Sequence, residues 1–113
     1  MIKIIDNISA EPVQRHTFVY NDVSAEFVIR YSQQVEQWTF DCTIGSKSIF
    51  GAKLSVGTLH MVSRNMPIDF IVTDNTGSGI DPFKLNDFVS KRCSLYLVDD
   101  EGMAEIRGQE VEF

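Results

Sequence analysis

The strictest pattern in the sequence is the alternation of apolar and polar side chains from Val23 to Tyr31. Successive residues of a strand point to opposite sides of a sheet, so a period of two predicts a half-buried strand. Polar side chains occupy the second face, with Val28 as the exception. The apolar face consists of Val23, Ala25, Phe27, Ile29 and Tyr31.

A second alternation runs from Gln37 to Thr43 and places Trp38, Phe40 and Cys42 on one side. Two half-buried strands bring their apolar faces into one core. The two alternations therefore predict four core residues: Phe27, Ile29, Trp38 and Phe40.

The choice of apolar residues also favours strands. Val and Ile number 22, whereas Leu and Ala number nine, and branching at Cβ suits a pleated surface better than a helix. No long window carries the apolar spacing of an amphipathic helix. We expect one all-β domain over residues 1–113, an antiparallel sandwich or small open barrel with at most one short helix.

Turn signals divide the chain at short intervals. We expect a hairpin about Asn21-Asp22, a bulge at Gly51, and one short helical turn from Asp81 to Phe88 with Asp81 as its N-cap. A further turn is expected at Asp99–Gly102. The predicted strands are Met1–Ile8, Gln14–Tyr20, Val23–Tyr31, Gln37–Thr43, Ser48–Leu54, Thr58–Arg64, Ile68–Thr73, Cys93–Val98 and Met103–Arg107.

Charge and hydropathy exclude several classes of protein. The net charge is −6, and residues 99–113 hold six acids and one base, so a nucleic-acid partner is not expected. No apolar run has the length of a membrane span, and the first residues are charged too early for a secretory signal. The acidic end is either a solvated face or a contact for a basic partner.

The sequence offers little catalytic chemistry. His16, His60, Cys42 and Cys93 could form a zinc site only by converging, but Cys42 lies on the apolar face with Trp38. Free cysteine is among the most buried residue types, so we expect two free thiols, no metal and no cofactor. Acids such as Asp41 and Asp69 are common on outer strand faces, and we expect no catalytic residue.

Two aromatic features admit alternatives. Trp38 is either core or an exposed platform for stacking on a sugar. The segment Phe83–Phe88 carries Phe83, Leu85 and Phe88 outside the main strands. It either caps the open end of the sheet or forms an apolar contact site.

The order of short motifs resembles one known family. A W-x-x-D strand at 37–41 precedes a Gly-Ser-Lys turn at 45–47 and a Gly-rich stretch at 51–57. Asp81-Pro82, Asp87-Phe88 and Leu95-Tyr96-Leu97 follow in order. This arrangement is similar to the small baseplate plug proteins of contractile-tailed phages, of the type described in a cyanophage.

The resemblance implies a non-enzymatic component of the virion tail baseplate, synthesised in the host cytoplasm. Its partners would be the hub, spike or tail-tube proteins, with no nucleic acid or membrane, and it could form a homo-oligomer there. A small β-sandwich module binding carbohydrate or a host protein is the alternative. The candidate contact residues are Phe83, Leu85, Phe88, Asp99, Asp100 and Glu101.

Overall fold

A computed structural model describes residues 2–20, 22–61 and 68–99 of the chain. None of these residues forms a helix of the length and apolarity needed to cross a membrane. Seven strands lie within the described ranges: β1 (Ile2–Ile5), β2 (Val13–Tyr20), β3 (Val23–Ser32), β4 (Gln37–Ile44), β5 (Lys47–Lys53), β6 (Ile68–Asp74) and β7 (Cys93–Asp99).

The strands form two antiparallel sheets. The larger sheet has the order β2-β3-β4-β5, in which every neighbour is also the next strand along the chain. The smaller sheet has the order β1-β7-β6, so the first strand pairs with the last one described. This architecture confirms the predicted all-β class, and it is sandwich-like rather than a closed barrel.

Both of the local backbone features expected within the larger sheet are present. Tyr20 pairs with Val23, which leaves two residues in the β2–β3 turn, and Asp22 has a φ of 63°. In β5 the register shifts opposite Phe40 and Cys42, and Gly51 has a φ of 68°. The positive φ explains the glycine, because other side chains rarely adopt that conformation.

Aromatic side chains join the inner faces of the sheets. Phe27 of β3 stacks on Phe70 of β6 with ring centroids 4.3 Å apart, and Phe40 of β4 meets the same ring edge-on at 5.7 Å. The four residues chosen from the alternating patterns, Phe27, Ile29, Trp38 and Phe40, are each 0% exposed. The core therefore lies between β3 and β4 on one side and β6 and β7 on the other.

Two predicted elements are wrong. Residues 58–61 do not form a strand, because the carboxylate of Asp69 accepts hydrogen bonds from the main-chain nitrogens of His60 and Met61. Residues 81–83 have no regular structure, and residues 85–90 form turns rather than a helix. The side chain of Asp81 does not cap this segment but accepts a bond from the Val56 nitrogen at 2.8 Å.

Three other predictions lie outside the described residues wholly or in part. They are the strand Met103–Arg107, the second half of Thr58–Arg64, and most of the turn Asp99–Gly102. Asp99 itself is the last residue of β7.

Candidate functional site

The longest excursion from the sheets that the structure describes is the connection between β6 and β7, residues 75–92, which we call the Arg92 loop. Two buried carboxylates hold it in place, Asp74 at the end of β6 and Asp87 within the loop. The guanidinium of Arg92 lies between them, 3.4 Å from Asp74 and 2.9 Å from Asp87.

Asp74 fixes the first half of the loop. Its carboxylate accepts bonds from the Thr76 and Ser78 hydroxyls at 2.6 and 2.7 Å, and from the Thr76 and Ile80 nitrogens. These donors favour the ionised form, so the hydroxyl of Thr76, then that of Ser78 and the two nitrogens, hold the pKa of Asp74 well below its usual range. These bonds tie the main chain from Thr76 to Ile80 to the end of β6.

Asp87 fixes the second half of the loop. Its carboxylate accepts bonds from the Phe83 and Lys84 nitrogens at 2.7 and 2.8 Å, and from Nε and a terminal nitrogen of Arg92. Burial alone would raise the pKa of Asp87, but the bonds from Arg92 and the two main-chain nitrogens lower it overall. Arg92 also donates to the carbonyls of Ile80 and Asp81 at 3.1 and 2.9 Å, which ties both halves together.

The segment Phe83–Phe88 closes one end of the sandwich. The Tyr31 hydroxyl donates to the Phe83 carbonyl at 2.9 Å, and Trp38 Nε1 donates to the Lys84 carbonyl at 3.1 Å. The ring of Phe88 meets Trp38 edge-on at 5.5 Å. This segment therefore caps the open end of the sheet, which is the first of the two alternatives given for it above.

The three apolar side chains of the segment are not equally available. Phe88 is 3% exposed and belongs to the core, so its ring cannot meet a partner without a rearrangement of the cap. Leu85 is half-buried against the core, and Phe83 is half-buried beneath the Arg92 guanidinium, 5.1 Å from its ring centroid. Only Phe83 and Leu85 thus remain accessible candidates for contact.

The loop also exposes two apolar residues that the sequence reasoning missed. Ile80 is 51% exposed and Val89 is 47% exposed. Neither lies in a periodic pattern, so the sequence carries no signal for their exposure. Two lysines of the same loop, Lys84 and Lys91, are exposed as well.

Of the acidic candidates, Asp99 lies at the far end of β7 from the Arg92 loop. It pairs with Ile68 at the start of β6 and is half-buried. Asp100 and Glu101 lie outside the described residues. The structure therefore separates Asp99 from the Arg92 loop by the length of one strand.

The remaining candidate groups have structural partners or are buried. Asp41 pairs with Arg30 and accepts the Gly51 nitrogen of the bulge at 2.8 Å. Cys42 and Cys93 are buried free thiols, and burial raises their pKa to about 12 and about 11. Within the described ranges, no three His, Cys, Asp or Glu residues are grouped as metal ligands.

Trp38 is 0% exposed, so its ring is not available for stacking on a sugar. The ring contacts Tyr31 and Phe88, with centroid separations of 5.3 and 5.5 Å. The feature that favoured a carbohydrate-binding module is therefore part of the core.

Comparison with known proteins places the chain in a family. No curated protein matches it significantly. The profile of the family described as "Cyanophage baseplate Pam3 plug gp18" matches residues 1–101, which include every described strand. Because this match covers most of the 113 residues, the chain belongs to the cyanophage baseplate plug family.

Proposed function

We propose that this protein is a structural component of a phage tail baseplate, which docks on the central hub and catalyses no reaction. The observation that carries the proposal is the family match over residues 1–101. The structure is compatible with this role, because the buried carboxylates described above serve the fold, each bonded to main-chain nitrogens or to an arginine.

The Arg92 loop is the proposed docking surface. Two buried aspartates and one arginine bond it at several points, so we expect binding to cost little ordering entropy. Its Ile80 and Val89 are exposed and its Phe83 is half-buried, and Lys84 Nζ lies 5.5 Å from the centroid of the Phe83 ring. Rigid apolar side chains bordered by charge are typical of the anchors in protein–protein interfaces.

The acidic end is the proposed second contact, through Asp99, Asp100 and Glu101. Residues 99–113 carry six acids against one base, so they would attract a basic surface of the hub. Exposed charges are screened beyond about 8 Å at physiological ionic strength. Binding through this end would weaken with salt, whereas binding through Phe83 and Ile80 would tolerate it.

Mass spectrometry of purified virions tests the function directly. We expect the chain in intact tails, at a fixed copy number relative to the tail-tube protein. If tails assemble normally without it, the baseplate role is refuted, and a module that binds a host protein or a carbohydrate becomes the better explanation.

Complementation of a phage that lacks the gene tests the surface. We expect Phe83→Ala and Ile80→Ala to reduce incorporation into tails, while both variants melt close to the parent temperature. Phe50→Ala is the matched control, because Phe50 lies outside the loop on β5 and is 73% exposed. Equal incorporation of the Phe83 and Phe50 variants would refute the loop as the docking surface.

A further inference from the structure

The two sheets leave four edge strands, and two of these are protected. The outward carbonyls of Phe70 and Val72 in β6 accept bonds from His60 Nδ1 at 2.7 Å and the Gly57 nitrogen at 2.9 Å. A bulge interrupts β5, which also has a lysine at each end, Lys47 and Lys53. Bulges, charge and covering segments are the usual means by which proteins prevent edge-to-edge pairing.

The edges of β1 and β2 have no bulge or covering segment among the described residues, and each strand carries a single lysine or arginine, Lys3 and Arg15. β2 pairs with β3 in unbroken register over eight residues and contains no proline, glycine or bulge. Among the described residues, no main-chain hydrogen bond reaches the outer edge of either strand. Both strands also expose large apolar side chains: Ile4 at 42%, Val13 at 61% and Val19 at 70%.

The register identifies the main-chain groups of β2 that point outward. Opposite residues of an antiparallel pair are alternately bonded and non-bonded, and the Tyr31 nitrogen donates to the Pro12 carbonyl at 2.8 Å. Pro12 and Tyr31 thus form a hydrogen-bonded pair, and residues 14, 16, 18 and 20 form hydrogen-bonded pairs with β3 in the same way. The nitrogens that face away from β3 are those of Val13, Arg15, Thr17 and Val19.

The bare edges lie on either side of one groove. It has a volume of about 230 Å³ and is lined by residues 3–7 of β1 and its following turn, by residues 16–18 of β2, and by Leu97 of β7. Its apolar lining includes Ile5 and Phe18, which pack against the core, and Leu97, which is 5% exposed. Apolar side chains and unpaired main-chain groups therefore face the same space.

We propose that this groove accepts an extended strand from another baseplate protein, which adds to the edge of β2. The main-chain donors and acceptors at this edge can be paired by another extended main chain. Apolar side chains at alternate positions of that chain would then fill the groove. A single segment can contact both β1 and β2, whereas the sheet edge of a second folded copy can pair with one of them. The proposal rests on the proposed function, since the strand is supplied by the baseplate.

Hydrogen exchange in purified tails, compared with the isolated full-length chain, tests this inference. We expect the amides of Val13, Arg15, Thr17 and Val19 to exchange about 100-fold or more slowly in tails, because pairing limits exchange to local opening. Equal exchange in both samples overturns the inference while the chain is still present in the tails. Absence of the chain from tails overturns the proposed function instead.

Amide exchange in the isolated chain distinguishes the other possible occupants of the groove. Slow exchange of these four amides at every protein concentration would show that a segment of the same chain fills the edge. Slowing that grows with concentration would show that a second copy does so. Either result overturns the proposal, which requires rapid exchange in the isolated chain.

Thr17→Pro supplies the genetic test. The Thr17 nitrogen points outward, so proline removes one edge donor and obstructs pairing while the β2–β3 hydrogen bonds remain. Ser48→Pro is the matched control, since Ser48 lies opposite Thr43 in the non-bonded phase of the β5 edge. We expect incorporation into tails to fall about tenfold for Thr17→Pro relative to Ser48→Pro. Equal incorporation of two variants with equal melting temperatures overturns the inference.

Discussion

Replacement of Arg92 by methionine should destabilise the protein strongly. Methionine retains much of the length of the side chain but removes the bonds to Asp87, Ile80 and Asp81. Asp87 is 1% exposed, so its carboxylate would stay buried without its cation. The loss of one partner of a buried ion pair costs about 3–5 kcal/mol.

The contacts that remain place the expected value at the lower end of this range. Asp87 would still accept bonds from the Phe83 and Lys84 nitrogens, which partly compensate for its charge. We therefore expect a loss of about 3 kcal/mol in the free energy of unfolding. With a urea slope of about 1.5 kcal/mol/M, the unfolding midpoint would fall by about 2 M.

Urea unfolding followed by tryptophan fluorescence measures this loss, because the single Trp38 is bonded to the same segment at Lys84. Arg15→Met is the control, since Arg15 pairs with Glu26 at 3.2 Å on the exposed face of the sheet. That variant should lose less than about 1 kcal/mol. If Arg92→Met lost as little as the control, the Arg92 loop would not depend on its buried ion pair.

Three further predictions concern the core, the stability at low pH and the reactivity of a buried thiol. Trp38→Ala should cost about 3–5 kcal/mol, measured by a thermal melt, and a normal melt would contradict the buried position of the ring. Stability should fall with pH below about 4, because unfolded aspartates bind a proton near their ordinary pKa while Asp74 and Asp87, whose pKa values are lowered, stay ionised in the fold. Asp87→Asn should weaken the dependence of the free energy of unfolding on pH, measured by urea titrations at several pH values. An unchanged pH dependence would show that other groups cause it. Cys42, whose pKa is raised to about 12, should react with a thiol reagent only after unfolding, and rapid labelling of the native protein would refute this.

The elements predicted most closely from the sequence are the strands that have one buried face and one face exposed to solvent. β3 and β4 alternate, with Val28 as the one exception, because each separates the core from solvent, so periodicity alone locates them. β6 does not follow this rule, since Asp69 and Ile71 are buried on its second face as well. Strand positions therefore followed from local sequence, but the depth of burial did not.

The two wrong elements have different physical causes. The carboxylate of Asp69 accepts bonds from the nitrogens of His60 and Met61, so residues 60 and 61 do not offer these donors to a neighbouring strand. Asp81 does not cap residues 82–88, because its carboxylate accepts the Val56 nitrogen. Asp69 and Asp81 both bond a segment distant in sequence, and no periodic pattern reveals such contacts.

Strand order is the property that the sequence left open, and the proposed contacts depend on it. The order β1-β7-β6 places β1 at an edge, and the order β2-β3-β4-β5 places β2 at another. If β1 paired with β2, the same seven strands would leave no groove, and Val13, Arg15, Thr17 and Val19 would have internal partners. The edges proposed for assembly therefore follow from the order of the described strands, and periodicity within each strand contains no information on that order.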